Sequence, residues 1–276
     1  MNIRDLLAEA RRLLAAGSEG RLEAEVLLCH ILKGSRAFIY ANPDQEVSAG
    51  HRGEFLRLVQ RRRSGEPIAY LTGIREFWSL SLRVTPDVLI PRPETELLVE
   101  TALAQIPEDA AWRIADLGTG SGAIALAIAS ERPLCDVHAT DTSPAALRIA
   151  QENADTLQLG QIRFHLGSWL APLQGKFNVI ISNPPYVASD DPHMGQGDCR
   201  FEPQEALSPG PDALASIRHI AGVCLSFLED DGFLAFEHGF EQGDACRKLL
   251  LELGYSDIET VKDLAGLDRV TKGKKS

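Results

Sequence analysis

Apolar residues in the first 75 or so positions recur three or four residues apart, which is the spacing of one helix face. Three runs show this spacing clearly, at residues 3–14, 22–29 and 55–59. Glycine follows all three runs, at Gly17, Gly34 and Gly65, as expected where a helix ends. This part of the chain is therefore predicted to form a small bundle of three or four helices.

From Trp112 onward, short apolar runs alternate with stretches of helical spacing. The short runs are rich in β-branched residues, which indicates buried strands. The predicted strands are residues 113–117, 137–140, 162–166, 177–182 and 233–237. The predicted helices are residues 122–130, 144–157, 212–228 and 241–253. This alternation predicts a doubly wound parallel sheet.

The end of the chain departs from the alternation. Residues 256–261 and 269–271 have the pattern of two strands with no helix between them, so they are expected to add an antiparallel edge. The predicted fold class is therefore α/β: a mostly parallel sheet with an antiparallel edge, preceded by a small N-terminal helical bundle.

A linker is expected between the two regions. Residues 76–84 alternate like a strand of a hairpin, and residues 90–93 form a stiff, proline-rich connector. Residues 94–104 then have the pattern of a helix with an acidic start. We expect the domain boundary near residue 80, with domains at residues 1–80 and 81–276.

Composition narrows the classes of function. The formal net charge of −11 argues against sequence-independent binding of nucleic acid, which relies on Lys and Arg. The five cysteines are scattered and include no Cys-x-x-Cys pair, so neither a disulfide framework nor a zinc site is indicated. The sequence shows no signal-peptide pattern and no apolar run of about 20 residues, so we expect a cytoplasmic protein without a membrane span.

A glycine-rich loop between the first predicted strand of the sheet and its helix indicates a nucleoside-binding site. The candidate residues of this loop are Gly118, Thr119, Gly120, Ser121 and Gly122. Glycines allow a sharp turn and a close approach of the backbone to a ligand. Asp141 ends the next strand, roughly 20 residues further on, where an acid typically holds ribose hydroxyls. Trp169, after the third strand, is a candidate cover for an adenine ring, although such a residue is often a core aromatic.

The segment Asn183-Pro184-Pro185-Tyr186 predicts a second feature, a rigid elbow at the end of the fourth strand. Two prolines exclude both helix and sheet pairing. The Asn183 side chain and the Pro184 backbone each offer a carbonyl oxygen, and two acceptors side by side suit a planar –NH₂ group. Tyr186 can pack against that plane. The alternative is a stiff strand exit with a buried tyrosine.

The two features together favour methyl transfer to nitrogen from S-adenosylmethionine. The pattern of Gly118, Gly120 and Ala123 also fits a dinucleotide site, so a nicotinamide dehydrogenase is an alternative. A dehydrogenase needs an acid–base residue beside the hydride acceptor, and His238 is the obvious candidate for that role. A cradle for –NH₂ fits the methyltransferase better.

The chain also resembles a known family, the bacterial peptide chain release factor glutamine methyltransferases, over nearly its whole length. Besides the loop and the elbow, the resemblance is carried by residues 65–73, 75–78, 90–96, 200–203 and 237–239. One departure is Ser168, where the family often has Asp. Asn-Pro-Pro-Tyr alone is shared with DNA adenine-amino methyltransferases, whereas the linker motif and the helical N-terminal domain belong to the release factor enzymes.

The resemblance implies a Rossmann-like methyltransferase domain and methylation of the glutamine in the Gly-Gly-Gln loop of class 1 release factors. It implies catalytic roles for Asn183, Pro184 and Tyr186, with Pro185 completing the substrate site and Asn183 also near the cofactor. We expect residues 1–80 to recognise the protein substrate, because they hold none of the cofactor motifs. We expect the protein to bind neither nucleic acid directly nor a membrane.

Two other classes stay open at this point, a DNA adenine methyltransferase and a non-catalytic adapter that binds release factors. Net charge and the lack of a basic recognition domain weigh against the first. Phe201, Glu202 and Pro203 are candidates for the substrate entrance or an ordinary surface loop. Glu237 and His238 are expected to pack at a strand end rather than to take part in catalysis.

Overall fold

Residues 1–14 and 18–275 are described by a computed structural model, in which the chain divides into two units, Met1–Ile74 and Arg75–Ser276. The division falls just before the hairpin that the sequence predicts as a linker.

Short helices build the first unit. Its described residues form five: α1 (Ile3–Leu13), α2 (Ser18–Leu32), α3 (Arg36–Ala41), α4 (Ala49–Arg63) and α5 (Ile68–Thr72). Side-chain caps start several of them, as where Asn2 accepts a hydrogen bond from the backbone N–H of Asp5 at 2.9 Å. Apolar residues such as Leu6, Leu27 and Phe55 meet in one buried cluster. The predicted bundle is present, with the short helices α3 and α5 in addition to the longer ones.

A buried carboxylate lies within this bundle. The Glu25 side chain is fully buried and accepts hydrogen bonds from the Tyr40 hydroxyl at 2.6 Å, from Arg21 at 2.9 Å and from Arg36 at 2.8 Å. Arg11 lies 3.3 Å from the same carboxylate. Burial raises the pKa of Glu25, but the hydrogen bonds from Tyr40, Arg21 and Arg36 outweigh that effect and lower the pKa to about 2. Glu25, on α2, thus contacts side chains from both α1 and α3.

Replacing that charge is expected to destabilise the bundle. Glu25→Gln keeps the shape but removes the charge, and should cost about 2 kcal/mol at pH 7, the scale of hydrogen bonds to a charged group. Because the pKa of Glu25 in the folded protein lies below its ordinary value of 4.5, the stabilisation is full above that pH and is lost as the pH falls towards 2. Urea unfolding, followed by circular dichroism at pH 7 and pH 3, should show a smaller difference between variant and wild type at pH 3. An equal difference at both pH values would contradict this role.

A two-stranded hairpin begins at the boundary between the units. Its strands are β1 (Ile74–Phe77) and β2 (Leu80–Arg83), so the predicted hairpin is present, but residues 76–84 contain its turn instead of one continuous strand. Trp78 and Ser79 form the turn, with φ of 53° and 58°. The backbone N–H of Trp78 donates to Glu96 Oε1 at 2.8 Å, which holds a turn that has no glycine.

A seven-stranded sheet forms the centre of the second unit. Its strands are β3 (Arg113–Leu117), β4 (Asp136–Asp141), β5 (Arg163–Leu166), β6 (Phe177–Ser182), β7 (Leu228–Glu237), β8 (Ser256–Lys262) and β9 (Asp268–Lys274). The order is β5-β4-β3-β6-β7-β9-β8. Strands β3 to β7 pair in parallel, whereas β9 pairs antiparallel with both β7 and β8. The predicted sheet and its antiparallel edge are confirmed.

Helices cover both faces of this sheet. They are α6 (Glu96–Leu103), α7 (Ala123–Glu131), α8 (Pro144–Leu157), α10 (Ala215–Phe227) and α11 (Gly243–Leu253), whereas the short helix α9 (Gln204–Leu207) lies in the segment between β6 and β7. Neighbouring residues of β6 point to opposite faces, so that Val179 lies in one buried cluster and Ile180 in the other. Because both faces are covered, the strands are apolar on both sides, which is why they appear in the sequence as continuous apolar runs.

The strand order places a crevice between β3 and β6. The chain runs from β3 to β4 on one side of β3, whereas β6 lies on its other side. Ligands bind at the carboxyl ends of parallel strands where the order reverses in this way. Among the helices that the structure describes, none is long and apolar enough to cross a membrane.

Candidate active site

A cleft of about 220 Å³ opens at the carboxyl ends of β3, β4 and β6, where ligands bind in open α/β sheets. Six of the residues that the sequence predicts as site residues line it: Gly118, Gly120, Asp141, Trp169, Asn183 and Pro185. The cleft is also lined by Asp87, Val88 and Leu89 from the segment between β2 and α6, which the sequence pattern did not indicate.

The glycine loop needs its glycines at the cleft. Gly118 and Gly120 have φ of 74° and 55°, a region that side chains disfavour. A Cβ atom on Gly118 would also lie only 3.3 Å from the Trp169 ring. The backbone of the loop can therefore approach a ligand closely, with Trp169 beside it.

Asp141 ties this loop to the start of the next helix. Its Oδ2 accepts a hydrogen bond from the backbone N–H of Gly120, and its Oδ1 accepts one from Ser143, both at 2.9 Å. Each carboxylate oxygen has room for a second donor. Asp141 thus has the chemistry to accept a pair of ribose hydroxyls while it fixes the loop.

The remaining residues of the predicted loop do not line the cleft. Thr119 is buried and donates its hydroxyl to Asp116 Oδ2 at 2.6 Å. The backbone oxygen of Ser121 accepts a hydrogen bond from Asn153 at 2.9 Å. A Cβ on Gly122 would lie 3.2 Å from the Ala150 Cβ, so glycine there permits close packing between helices α7 and α8. These three residues shape the loop from behind.

Asp116 is a buried acid to which the sequence pattern assigned no role. Burial raises the pKa of Asp116 to about 7, and the nearby charge of Asp141 adds to that increase. Its Oδ1 makes no hydrogen bond of good geometry among the described residues, although the backbone N–H of Ala125 is close enough to lower the pKa of the carboxyl. Asp116 is fully buried and does not line the cleft, so through Thr119 it supports the glycine loop from within the protein.

Two hydrogen bonds fix the start of the elbow after β6. The Ser182 hydroxyl donates to the backbone oxygen of Leu117 at 2.7 Å, which joins β6 to β3. The side-chain nitrogen of Asn183, Nδ2, donates to the Thr95 hydroxyl at 3.1 Å. Asn183 Oδ1 takes no part in that hydrogen bond, and Asn183 lines the cleft. Pro184 is buried, and Pro185 lines the cleft.

Tyr186 lies beside the cleft rather than on its lining. Its hydroxyl donates to Glu237 Oε1 at 2.8 Å, and its backbone oxygen accepts from Gln242 at 3.0 Å. Burial raises the pKa of Tyr186 above its ordinary value, with the Glu237 charge acting in the same direction. Tyr186 therefore stays protonated, and Glu237 holds its ring in place.

The loop after the elbow is braced to the proline-rich connector. Glu202 is buried, and its Oε1 accepts a hydrogen bond from the backbone N–H of Ile90 at 3.0 Å. Its other oxygen pairs with Arg92. Burial raises the pKa of Glu202, and the Arg92 charge opposes that rise. Pro203, the next residue, lines the cleft, so this brace sets one of its walls.

No His, Lys or Tyr is among the described residues that line the cleft. His238, the acid–base candidate for a dehydrogenase, is fully buried. Its Nδ1 lies 2.9 Å from the backbone oxygen of Gly239 and its Nε2 lies 2.8 Å from the Thr271 hydroxyl. His238 is thus a structural residue at the strand end, and the dehydrogenase alternative loses its candidate.

Two family models match the chain, "PrmC N-terminal domain" over residues 5–73 and "Methyltransferase small domain" over residues 93–197. With the sheet and the cleft, they define a Rossmann-like methyltransferase preceded by a helical domain. Curated proteins named release factor glutamine methyltransferase are similar over the whole length. The Vibrio cholerae protein is 48% identical over 98% of this chain and 95% of its own, and the Escherichia coli protein is 46% identical over 99% of each. The chain therefore belongs to the release factor glutamine methyltransferase family.

Solved structures agree on the fold. A methyltransferase from Pyrococcus furiosus has a TM-score of 0.54 at 16% identity, covering 83% of this chain and 100% of its own. A 16S rRNA N2 G1207 methyltransferase from T. thermophilus has a TM-score of 0.55 at 17% identity, covering 74% of this chain and 50% of its own. The chain is an S-adenosylmethionine-dependent methyltransferase, and the Asp141 carboxylate and the open glycine loop fit that cofactor.

Proposed function

We propose that this enzyme methylates the side-chain amide nitrogen of the glutamine in the Gly-Gly-Gln motif of class 1 release factors, and so tunes translation termination in the cytoplasm. The observation that carries the proposal is the orientation of Asn183. Its nitrogen is engaged by Thr95, which leaves its oxygen as an acceptor at a cleft that fits an adenosine-like cofactor. The names of the relatives support the same substrate.

The chemical task is to make a poor nucleophile react. The lone pair of an amide nitrogen is delocalised into the carbonyl, and the cofactor supplies an already activated methyl group on its sulfonium. In the proposed mechanism, Asn183 Oδ1 and the Pro184 backbone oxygen accept the two N–H bonds of the glutamine. They orient the nitrogen and stabilise the positive charge that develops on it. Pro185 and the Tyr186 ring would confine the amide plane.

The cofactor would be held from the opposite side of the cleft. We assign the ribose hydroxyls to Asp141 and the adenine plane to Trp169. The backbone of residues 118–122 would approach the rest of the molecule, with Asn183 between cofactor and substrate. Ser168 also lines the cleft, so the place of the usual Asp is taken by a shorter hydroxyl side chain.

We also propose that the N-terminal domain recognises the release factor. None of its described residues lines the cleft, and its family model is separate from the methyltransferase one. A truncated chain that begins near residue 75 should still bind S-adenosylmethionine, provided that it gives a folded circular dichroism spectrum. Its kcat/KM for intact release factor should fall, because the domain that docks the substrate is missing. Unchanged kcat/KM in the folded truncated chain would refute this assignment.

Incubation with labelled S-adenosylmethionine tests the function directly. The full-length chain is offered a class 1 release factor, the same factor with the Gln of its Gly-Gly-Gln motif changed to Ala, or duplex DNA. Label in the intact factor alone is the expected result. Label in DNA would support an adenine methyltransferase, and no label with retained binding of the factor would support an adapter.

A further inference from the structure

Glu237, at the end of β7, is a buried carboxylate that uses only one of its two oxygens. Oε1 accepts the Tyr186 hydroxyl at 2.8 Å. Oε2 has no hydrogen bond of good geometry from any described residue, although the Thr95 hydroxyl is close enough to lower the pKa of the carboxyl. Burial has the larger effect and raises that pKa. A buried oxygen of this kind calls for a donor.

Thr95 has the complementary property. Its side chain is only 3% exposed, and its oxygen already accepts a hydrogen bond from Asn183 Nδ2 at 3.1 Å. The hydroxyl proton of Thr95 therefore needs an acceptor inside the protein. Glu237 Oε2 is a nearby acceptor that needs a donor. A hydrogen bond from the Thr95 hydroxyl to Glu237 Oε2 would therefore satisfy both groups.

We infer that Thr95 and Glu237 are positioning residues for the methyl-transfer step, joined to Asn183 by a directed chain of hydrogen bonds. Asn183 Nδ2 donates to the Thr95 hydroxyl, which in turn donates to Glu237 Oε2. The other oxygen of Glu237 holds Tyr186. One buried carboxylate thus fixes both side chains of the elbow that face the substrate in the proposed function, on which this inference rests.

The direction of these hydrogen bonds decides whether Asn183 presents its oxygen or its –NH₂ group to the substrate. If the amide of Asn183 turned over, its –NH₂ would face the –NH₂ of the glutamine, and neither group could accept. With its proton committed to Glu237, Thr95 can only accept from Asn183, so the amide is locked with its oxygen towards the substrate. Thr95 belongs to the linker motif at residues 90–96. The hydrogen bonds of Thr95 with Asn183 and Glu237 thus connect that motif to the active site.

A symmetric side chain at position 183 separates this role from a merely structural one. Asn183→Asp presents an oxygen to the substrate whichever way the carboxylate turns. The hydrogen bond to Thr95 is then not needed to keep the side chain from turning over. Thr95→Val removes the hydroxyl and keeps the volume, and Thr95→Ser keeps the hydroxyl. We expect Thr95→Val to lower kcat about tenfold in the wild type, the scale of one net hydrogen bond, with Thr95→Ser losing much less.

The kinetic test is a double-mutant cycle with release factor and cofactor at saturation. In the Asn183→Asp background, Thr95→Val should change kcat by less than it does in the wild type, by about twofold at most. Equal factors in both backgrounds, or no loss from Thr95→Val in the wild type, would overturn the inference. The affinity for S-adenosylmethionine should stay the same in Thr95→Val.

A second readout needs no turnover. In ¹⁵N-labelled full-length protein, the side-chain –NH₂ signals of Asn183 are identified by their loss in Asn183→Asp. These protons should exchange slowly with solvent in the wild type and fast in Thr95→Val, whereas equal rates would overturn the inference. If the wild type transfers no methyl group to release factor, the proposed function fails, and the exchange rates still decide on the hydrogen-bond chain.

Discussion

Asn183→Ala is expected to lower kcat for methyl transfer to a release factor by about 10²–10³-fold, the effect of removing one aligned polar group from a transition state. The substitution deletes the oxygen that accepts an N–H of the glutamine. It also releases Thr95, whose hydroxyl accepts from Asn183 Nδ2 in the wild type. The change in Kd for S-adenosylmethionine should be smaller than the change in kcat. Single-turnover assays measure the rate of methyl transfer, and calorimetry measures the Kd for S-adenosylmethionine.

Asn183→Asp is the matched control for that experiment. It retains an oxygen near the same place and adds negative charge beside a nitrogen that becomes positive, so it should lose less than Asn183→Ala. Melting temperatures of both variants separate chemistry from folding. A folded Asn183→Ala enzyme with a kcat near that of the wild type would remove Asn183 from the mechanism.

Asp141→Ala is expected to raise the Kd for S-adenosylmethionine by about 10–150-fold, equivalent to 1.5–3 kcal/mol for hydrogen bonds to a charged group. The carboxylate would contribute in two ways. It would accept ribose hydroxyls, and it already holds the N–H groups of Gly120 and Ser143 at 2.9 Å. Removing it therefore also loosens the glycine loop.

Calorimetry with S-adenosylmethionine and with NAD tests that expectation. Ser168→Ala, at a neighbouring position on the cleft, is the control for general damage to the lining and should change Kd less than Asp141→Ala. An unchanged Kd in Asp141→Ala would exclude the ribose contact, and tight binding of NAD by the wild type would contradict the choice of cofactor.

Local signals were sufficient for the central elements of the fold. Helix α8 spans Pro144–Leu157 as predicted, because Ser143 caps it and proline occupies its first position. Strand β6 ends at Ser182, two positions before the first of the two prolines. The hairpin was predicted but its turn was not, because the turn uses Trp78 and Ser79 at positive φ, without glycine. Besides a local hydrogen bond from Ser79 to Glu76, the turn is held by Glu96, a residue that no local pattern links to it.

The residues of the candidate site also differ in how far local signals in the sequence could predict them. Gly118, Gly120, Asp141 and Asn183 could be predicted because each follows directly from a strand end, and strand ends meet at one edge of a parallel sheet. Glu237 also ends a strand and could be placed there, but its contact with Tyr186, 51 positions away, could not be predicted. Thr95 lies 88 positions from Asn183, so only the folded chain shows that the two side chains meet.

Tandem mass spectrometry of the release factor after reaction tests the central claim most directly. The peptide that holds the Gly-Gly-Gln motif is sequenced after reaction with the wild type, with Asn183→Ala and with no enzyme. We predict one added methyl group on the glutamine side chain with the wild type, and little or none in the other two samples. A methyl group on another residue, or an unmodified peptide beside methylated DNA, would contradict the assignment of this cleft to a glutamine amide.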